Sequence, residues 1–206
     1  MKIPVRVFVP LLALAMAVAA GAQDSVTLIS NLDGNDGTQA ADLDNLRNKG
    51  MGFTMPAGLD YFLDRAILRL ETFGANVQPI VEIWDDVAGL PSSMLIRLNN
   101  PTFGASGIAN YVFVPPTPFA LAPSVTYWLV AYGTATGDRF DWKASSPAQV
   151  PTGLATHFGT KFDANGPPPT GASSILCSYA IEGTVIPEPS AGLALALALV
   201  GALRRR

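Results

Sequence analysis

Hydrophobic and polar residues alternate along the middle of the chain with a period of two. In residues 61–73, the apolar residues Ala66, Leu68 and Leu70 share one face and charged residues occupy the other. Residues 77–84 alternate in the same way, with Val81 and Ile83 on one side. Alternation rich in β-branched and aromatic side chains is typical of strands that are buried on one face. This part of the chain therefore predicts strands.

Further short segments carry the same signature, at 25–30, 51–55, 93–98, 110–114, 125–132, 139–143, 157–162 and 174–184. Clusters of Pro, Gly, Asn and Asp separate them, at 85–91, 99–101, 114–118 and 164–169. Short strands at this spacing predict an all-β domain, an antiparallel β-sandwich of jelly-roll type. Segment 125–132 is apolar on both faces, which predicts a strand covered on both sides. Residues 42–48 are the one part of this domain where a turn of helix is plausible.

The N-terminal 22 residues have the pattern of a secretory signal peptide. Lys2 and Arg6 form a basic start, an apolar segment follows, and Ala20 and Ala22 supply the small residues of a cleavage site before Gln23. A true transmembrane helix is the alternative, but the apolar run is short and contains Pro10. The sequence predicts export, with residues 1–22 removed.

The C-terminal segment, 186–206, joins three signals in a fixed order. Pro187, Glu188 and Pro189 come first, residues 191–203 are free of polar side chains, and Arg204, Arg205 and Arg206 end the chain. A helix with no polar face favours lipid, and a basic cluster stays on the cytoplasmic side. Thirteen residues make a helix of about 20 Å against a hydrocarbon core of about 30 Å. The tail is therefore expected to be a short transmembrane helix that holds the protein transiently, with the domain on the far side of the membrane; a plain permanent anchor is the alternative.

Between these ends lies a region of one domain's size, residues 23–185, with an acidic balance. Five of the 13 basic residues and one of the 16 acidic residues lie in the ends, which leaves a net charge of about −7. An acidic domain with no basic stripe argues against nucleic acid as a partner. Cys177 is the only cysteine, so a disulfide within the chain is excluded and the core must hold the fold.

The tail, with its Pro-Glu-Pro motif, apolar helix and arginine cluster, resembles the PEP-CTERM sorting signal of Gram-negative bacteria. The resemblance implies recognition by a membrane-embedded exosortase, which cleaves near the motif and passes the protein to the cell surface or the extracellular polymer matrix. The domain is similar to the choice-of-anchor R domain, which is found upstream of surface-anchoring tails. That likeness rests on 31–56, Tyr-Phe-Leu-Asp-Arg-Ala-Ile-Leu-Arg-Leu at 61–70, Ile-Trp-Asp-Asp at 83–86 with Gly-Leu-Pro at 89–91, and Thr-Tyr-Trp-Leu-Val at 126–130. The family supplies no catalytic residues, so the resemblance implies fold and placement only.

One acidic, glycine-punctuated loop is a candidate calcium site. Asp33, Asn35 and Asp36 lie within 31–37, and Asp42 and Asp44 follow shortly after. Calcium binds several carboxylate and carbonyl oxygens on a flexible loop, although this spacing is not that of an EF-hand. The alternative is a turn in which aspartate and asparagine side chains bond to nearby backbone amides.

Other chemistry has weaker support in the sequence. Trp142, which alternates with charged residues, is a candidate platform for a sugar at a loop-rich rim. Glycoside hydrolysis needs two carboxylates at a set separation, and Glu71, Glu82 and Glu182 are candidates in strands. Cys177 with His157 is a poor catalytic pair, because Cys177 lies in a strand where a cysteine is simply packed. We therefore expect no catalytic residues.

Three hypotheses follow. The leading one is a non-enzymatic surface or matrix protein, processed by signal peptidase and an exosortase. The second is a carbohydrate-binding module for the exopolysaccharide, and the third is an enzyme acting on matrix sugars.

Overall fold

A computed structural model describes residues 24–34, 37–74, 77–104, 106–135 and 137–187. These residues form strands and connecting loops, and none of them is helical. The strands are β1 (Val26–Ser30), β2 (Gln39–Leu43), β3 (Asn48–Thr54), β4 (Tyr61–Thr72), β5 (Pro79–Val87), β6 (Leu90–Arg97), β7 (Gly107–Phe113), β8 (Ala120–Leu121), β9 (Thr126–Gly133), β10 (Phe140–Ala144), β11 (Thr152–Gly153), β12 (Thr156–Asp163), β13 (Gly171–Ala172) and β14 (Tyr179–Val185). The predicted signal peptide and C-terminal helix lie outside the described residues.

The strands form two antiparallel sheets that pack together, which confirms the predicted β-sandwich. One sheet has the order β11-β1-β14-β4-β10-β2, with β7 and β8 also paired to β4. The other has the order β13-β12-β3-β9-β5-β6. In the first sheet, β4 is bonded to β14 and β10 along one side and to β8 and β7 along the other. The 61–73 segment, whose alternation was the clearest in the sequence, is therefore the central strand of its sheet.

The core lies between the sheets and is built from the alternate residues of each strand. Ala66, Leu68 and Leu70 of β4 are fully buried, as are Val81 and Ile83 of β5. The β9 strand is buried on both faces, as its composition predicted: Leu129 joins the main core, whereas Trp128 and Val130 form a separate cluster.

Two local expectations were wrong. Residues 42–48 do not form a helical turn: β2 continues to Leu43, a bend follows, and β3 begins at Asn48. Asp44 accepts hydrogen bonds from the backbone N–H of Leu46 (2.9 Å) and Arg47 (2.8 Å), so it stabilises this bend in place of a helix. Segment 85–91 is not a broad connection either, because β5 and β6 extend through it and only Ala88 and Gly89, both with positive φ, form the turn.

Both ends of the sandwich can be assigned from strand register. Val26 pairs with Gly183, and Val185 pairs with Tyr61. The first strand therefore begins, and the last strand finishes, at the same end of the molecule. We call this the terminal end. The opposite end carries the described residues around 44–47, 134–135, 137–138 and 163–170. The N–H of Gly133, the last residue of β9, donates to Asp44 O (2.9 Å), and that of Gly166 donates to Leu46 O (2.7 Å), so these segments lie side by side. We call it the distal end.

Candidate functional site

A cluster of aromatic and charged side chains that are hydrogen-bonded to one another lies on the outer face of the six-stranded sheet. Trp84, Trp128 and Val130 are buried there, and Tyr132 packs against them. We call these residues, together with Glu82, Asp86 and Arg97, the outer cluster. They come from β5, β6 and β9, and the pairing of Trp84 with Trp128 and of Glu82 with Val130 brings them side by side.

Glycines of the neighbouring strand create the space for the Trp128 ring. A Cβ atom at Gly52 would lie only 3.0 to 3.1 Å from three atoms of the indole, and one at Gly50 would lie 3.4 Å from it. The exposed Phe158 ring meets the indole edge-on, with centroids 5.7 Å apart. Glycine alternates with Met51 and Phe53 in β3. The large side chains therefore fill the core on one face, and the glycines leave room for the Trp128 indole on the outer face.

A buried carboxylate lies within this cluster. Glu82 is only 1% exposed. Its Oε2 accepts hydrogen bonds from Trp84 Nε1 (2.9 Å) and the Tyr132 hydroxyl (3.2 Å), and its Oε1 accepts one from Arg97 Nε (2.8 Å). The Glu82 carboxylate raises the pKa of the Arg97 guanidinium, while burial and Glu82 raise the pKa of Tyr132 to about 12. Both oxygens of Glu82 are thus occupied by donors, and the group holds the cluster together.

A second carboxylate fixes the other indole. Trp128 Nε1 donates to Asp86 Oδ1 (2.8 Å), and the N–H of Gly89 donates to Asp86 Oδ2 (3.2 Å). Asp86 therefore links the β5–β6 turn to the buried ring, and the turn residues are positioned by the same cluster.

The glutamates that were candidates for glycoside hydrolysis are not brought together. Glu82 belongs to the six-stranded sheet, whereas Glu71 and Glu182 belong to the other. Glu182 pairs with Arg65, six residues along β4 from Glu71, which corresponds to about 20 Å of strand. Glycosidases need carboxyl groups about 5 to 9.5 Å apart. Glu71 and Glu182 each bind a cation instead, Lys143 (3.0 Å) and Arg65 (2.5 Å) respectively.

The predicted platform at Trp142 was wrong. Trp142 is fully buried in the main core, where its Nε1 donates to Ser178 O (2.8 Å) and its ring packs edge-on against Tyr179. Phe140 and Ala144, two positions either side in β10, are buried with it. A ring enclosed in this way has no face to offer a sugar. Trp128 is equally buried and Trp84 is 9% exposed, so each of the three tryptophans has little free surface.

The described residues of the predicted calcium site are divided between two places. Asp33 lines a polar hollow with Ser30, Gln149 and Thr152. Asp42 and Asp44 lie near the distal end, where both bind Arg47 and Asp42 also binds Arg139 (2.7 Å). The hydrogen bond from Arg47 lowers the pKa of Asp44 to about 2.

Asn35 and Asp36 lie outside the described residues. Within the described ranges, no three His, Cys, Asp or Glu side chains are grouped so that they could hold a metal ion. Calcium binding by the 31–37 loop stays a prediction, which a calcium-dependent and chelator-reversible change in melting temperature would test.

One arrangement was missed in the sequence. Lys49 is fully buried and, opposite Ala131 in the β3–β9 ladder, points into the space between the sheets. Its Nζ lies 2.5 Å from Ser173 Oγ, beside a cleft lined by Phe162, Ala172 and Ile175 among others. Burial lowers the pKa of the Lys49 amine. The signal was present in β3, because Lys49 shares the face of Met51 and Phe53 in a period-two pattern.

The remaining nucleophile is enclosed. Cys177 is completely buried, and burial raises the pKa of its thiol to about 12. His157 lies in β12 of the other sheet. The interpretation of Cys177 as a packed core residue is confirmed.

Most of the residues predicted for sorting and signal cleavage lie outside the described residues. Pro187 is described and exposed, one residue after Ile186, whose N–H donates to Asp60 O (2.9 Å). Glu188, Pro189, Arg204, Arg205, Arg206, Ala20 and Ala22 lie outside the described residues. Within the described part of the chain, no helix is long and apolar enough to cross a bilayer.

Comparison with known proteins gives no match: no family model, curated protein or solved structure is significantly similar to this chain. What the described residues define is a class of fold, an all-β sandwich of two packed antiparallel sheets.

Proposed function

We propose that the protein is an exported cell-surface or extracellular-matrix protein, sorted by its C-terminal segment, whose jelly-roll-like β-sandwich of the choice-of-anchor R type is not catalytic. Signal peptidase would remove residues 1–22, and an exosortase-type enzyme would process the tail. Residues 191–203, as the expected transmembrane helix, would hold the protein in the inner membrane until that step.

The observation that carries this proposal is the position of the sandwich between the two terminal signals. The described strands run from Val26 to Val185, and the sequence signals occupy the segments on either side. Val26 and Gly183 are directly paired, so the described residues next to both segments lie at the terminal end. The Pro187 side chain is exposed just past the last strand, which favours access of a processing enzyme to the motif.

The alternatives have less support in the geometry. Binding of exopolysaccharide loses its proposed platform, because Trp142 is buried. For a glycan-active enzyme, the candidate glutamates are separated from one another and each is bound to a cation.

The test is the intact mass of the protein recovered from its own cells, separated into inner membrane, outer surface and medium. A mass that begins at Gln23 and ends near residues 187–190 in the surface or medium fraction is expected. A mass that extends to Arg206, found in the inner membrane alone, would make the tail a permanent anchor and overturn the sorting proposal.

A further inference from the structure

The terminal end of the sandwich exposes a group of large apolar side chains. Leu59, Val87, Leu90 and Val125 are between 36% and 56% exposed. We call these four residues the apolar end. Leu59 and Val125 lie on two separate connections, and Val87 and Leu90 are the strand residues that flank the β5–β6 turn, so no single strand pattern in the sequence indicates all four.

Strand register places Val87, Leu90 and Val125 together, and a backbone hydrogen bond brings the connection that contains Leu59 to the same end. Val87 pairs with Leu90 across the β5–β6 turn, and Asp85 pairs with Tyr127, which brings the turn level with Val125. The carbonyl of Val125 accepts a hydrogen bond from the N–H of Met55 (2.9 Å), at the start of the connection that contains Leu59. The same connection leads to Asp60, whose carbonyl holds Ile186.

The expected membrane anchor follows closely after this end of the sandwich. Pro187 is the last described residue, and the apolar run begins at Ala191. Four residue steps span at most about 14 Å even when fully extended. If residues 191–203 are in the membrane, the terminal end of the sandwich is held within that distance of it.

We infer that the apolar end rests on the lipid surface next to the inserted tail, so that the domain has a fixed orientation with its distal end pointing away from the membrane. This inference rests on the proposed function, in which the tail enters the bilayer. Exposed apolar side chains gain by moving from water into the interfacial region of a bilayer. The end carries carboxylates, among them Asp60 and Asp85, so the contact is apolar and gains nothing from anionic lipid.

The experiment uses the chain from Gln23 to Arg206 incorporated into phosphatidylcholine vesicles, with an environment-sensitive fluorophore on one introduced cysteine. Leu59→Cys reports on the apolar end. Leu46→Cys is the matched control, because Leu46 is a leucine of similar exposure, 51% against 40%, at the distal end. The natural Cys177 is buried and leaves the labelling to the introduced residue. Vesicle flotation after alkaline washing reports separately on insertion of the tail.

The expected result is flotation of both variants, a shift of the Leu59→Cys probe to shorter wavelength with loss of at least half of its quenching by iodide, and no change at Leu46→Cys. Vesicles that also contain phosphatidylglycerol should not increase the effect. Flotation with both probes equally quenched would overturn the lipid contact and leave the proposed function standing. Failure to float would overturn tail insertion and the contact together. Shielding of Leu59→Cys without vesicles, growing with protein concentration, would show that a second copy covers this end, and would also overturn the inference.

Discussion

Arg97 lies directly opposite Glu82 in the β5–β6 ladder, and its Nε and Nη2 atoms are both 2.8 Å from the same carboxylate oxygen. The two partners differ in their surroundings: the Arg97 side chain is 56% exposed and that of Glu82 is 1% exposed. The arginine therefore neutralises a carboxylate that cannot reach water, while remaining half in water itself.

Replacing Arg97 should lower the free energy of unfolding much more than replacing the arginine of a more exposed ion pair. Arg97→Met leaves a buried carboxylate without its cation, and we expect a loss of roughly 2 kcal/mol in the free energy of unfolding, less than a fully buried pair would lose. Arg65→Met is the control, because its partner Glu182 is less buried and the pair should contribute below about 1 kcal/mol. Urea unfolding followed by tryptophan fluorescence measures both. Equal losses would contradict the special role of Glu82.

Gly52 should not tolerate a side chain. Gly52→Ala places a Cβ atom 3.0 Å from the Trp128 ring, which is buried and held by Asp86, so the ring has little freedom to move. We expect a loss of about 1 to 3 kcal/mol from overpacking, together with a changed near-ultraviolet circular dichroism of the tryptophans. Gly74→Ala, with no atom within 4 Å of its added Cβ, is the control and should leave both measurements nearly unchanged.

Lys49 should lower stability near neutral pH. Burial lowers the pKa of the folded amine below its ordinary 10.5. At pH values between the folded pKa and 10.5, the amine is therefore protonated in the unfolded chain and neutral in the folded chain. The cost of the buried ammonium is complete below the folded pKa and disappears as pH rises toward 10.5. Lys49→Met should therefore raise the free energy of unfolding by roughly 1 to 3 kcal/mol near neutral pH.

The pH dependence separates this explanation from simple packing. The advantage of Lys49→Met over the natural chain should shrink as pH increases, and taking this difference removes the contributions of the tyrosines that both proteins share. Lys161→Met, in the neighbouring strand β12, should show neither effect, because Lys161 is only partly buried. A constant advantage at every pH would point to better packing alone.

Asp44 should matter for the distal end in a pH-dependent way. Asp44→Ala removes the acceptor for the N–H groups of Leu46 and Arg47, and we expect a cost of about 1 to 2 kcal/mol. Since the pKa of Asp44 is lowered to about 2, its contribution is present above pH 3.8 and is lost as pH falls through 2.

Asp163→Ala is the control for this effect. Asp163 also accepts bonds from two following backbone N–H groups, those of Ala164 and Asn165, but it is only partly buried whereas Asp44 is buried, so its loss should cost less. Thermal unfolding at several acidic pH values measures both variants; a cost for Asp44→Ala that persists below pH 2 would refute the assignment.

The sequence predicted the strands and their inner faces because that information is local. Successive residues of a strand point to opposite faces, so Leu68 and Leu70 point into the core while Arg69 between them points outward. Trp142 was misjudged despite that rule: period two already places it with Phe140, but its charged neighbours favoured a rim position. The burial of Glu82 could not be predicted. The donors that make it possible include Arg97 and Tyr132, and the register that brings their strands together cannot be derived from any one segment alone. The short β2 was missed because its sequence, Gln-Ala-Ala-Asp-Leu, contains no β-branched or aromatic residue.

The last strand of the domain lies between β1 and β4, near the middle of its sheet. A chain that crosses a membrane from its N-terminus therefore delivers β1 and β4 first and leaves a gap between them until residues 179–185 arrive. Contacts between such distant parts of a chain close slowly. In the proposed function, residues 191–203 enter the membrane within a few residues of β14, so the domain would still be incomplete when that segment engages. Retention at the membrane would precede folding, and each molecule would finish its sheet beside the lipid.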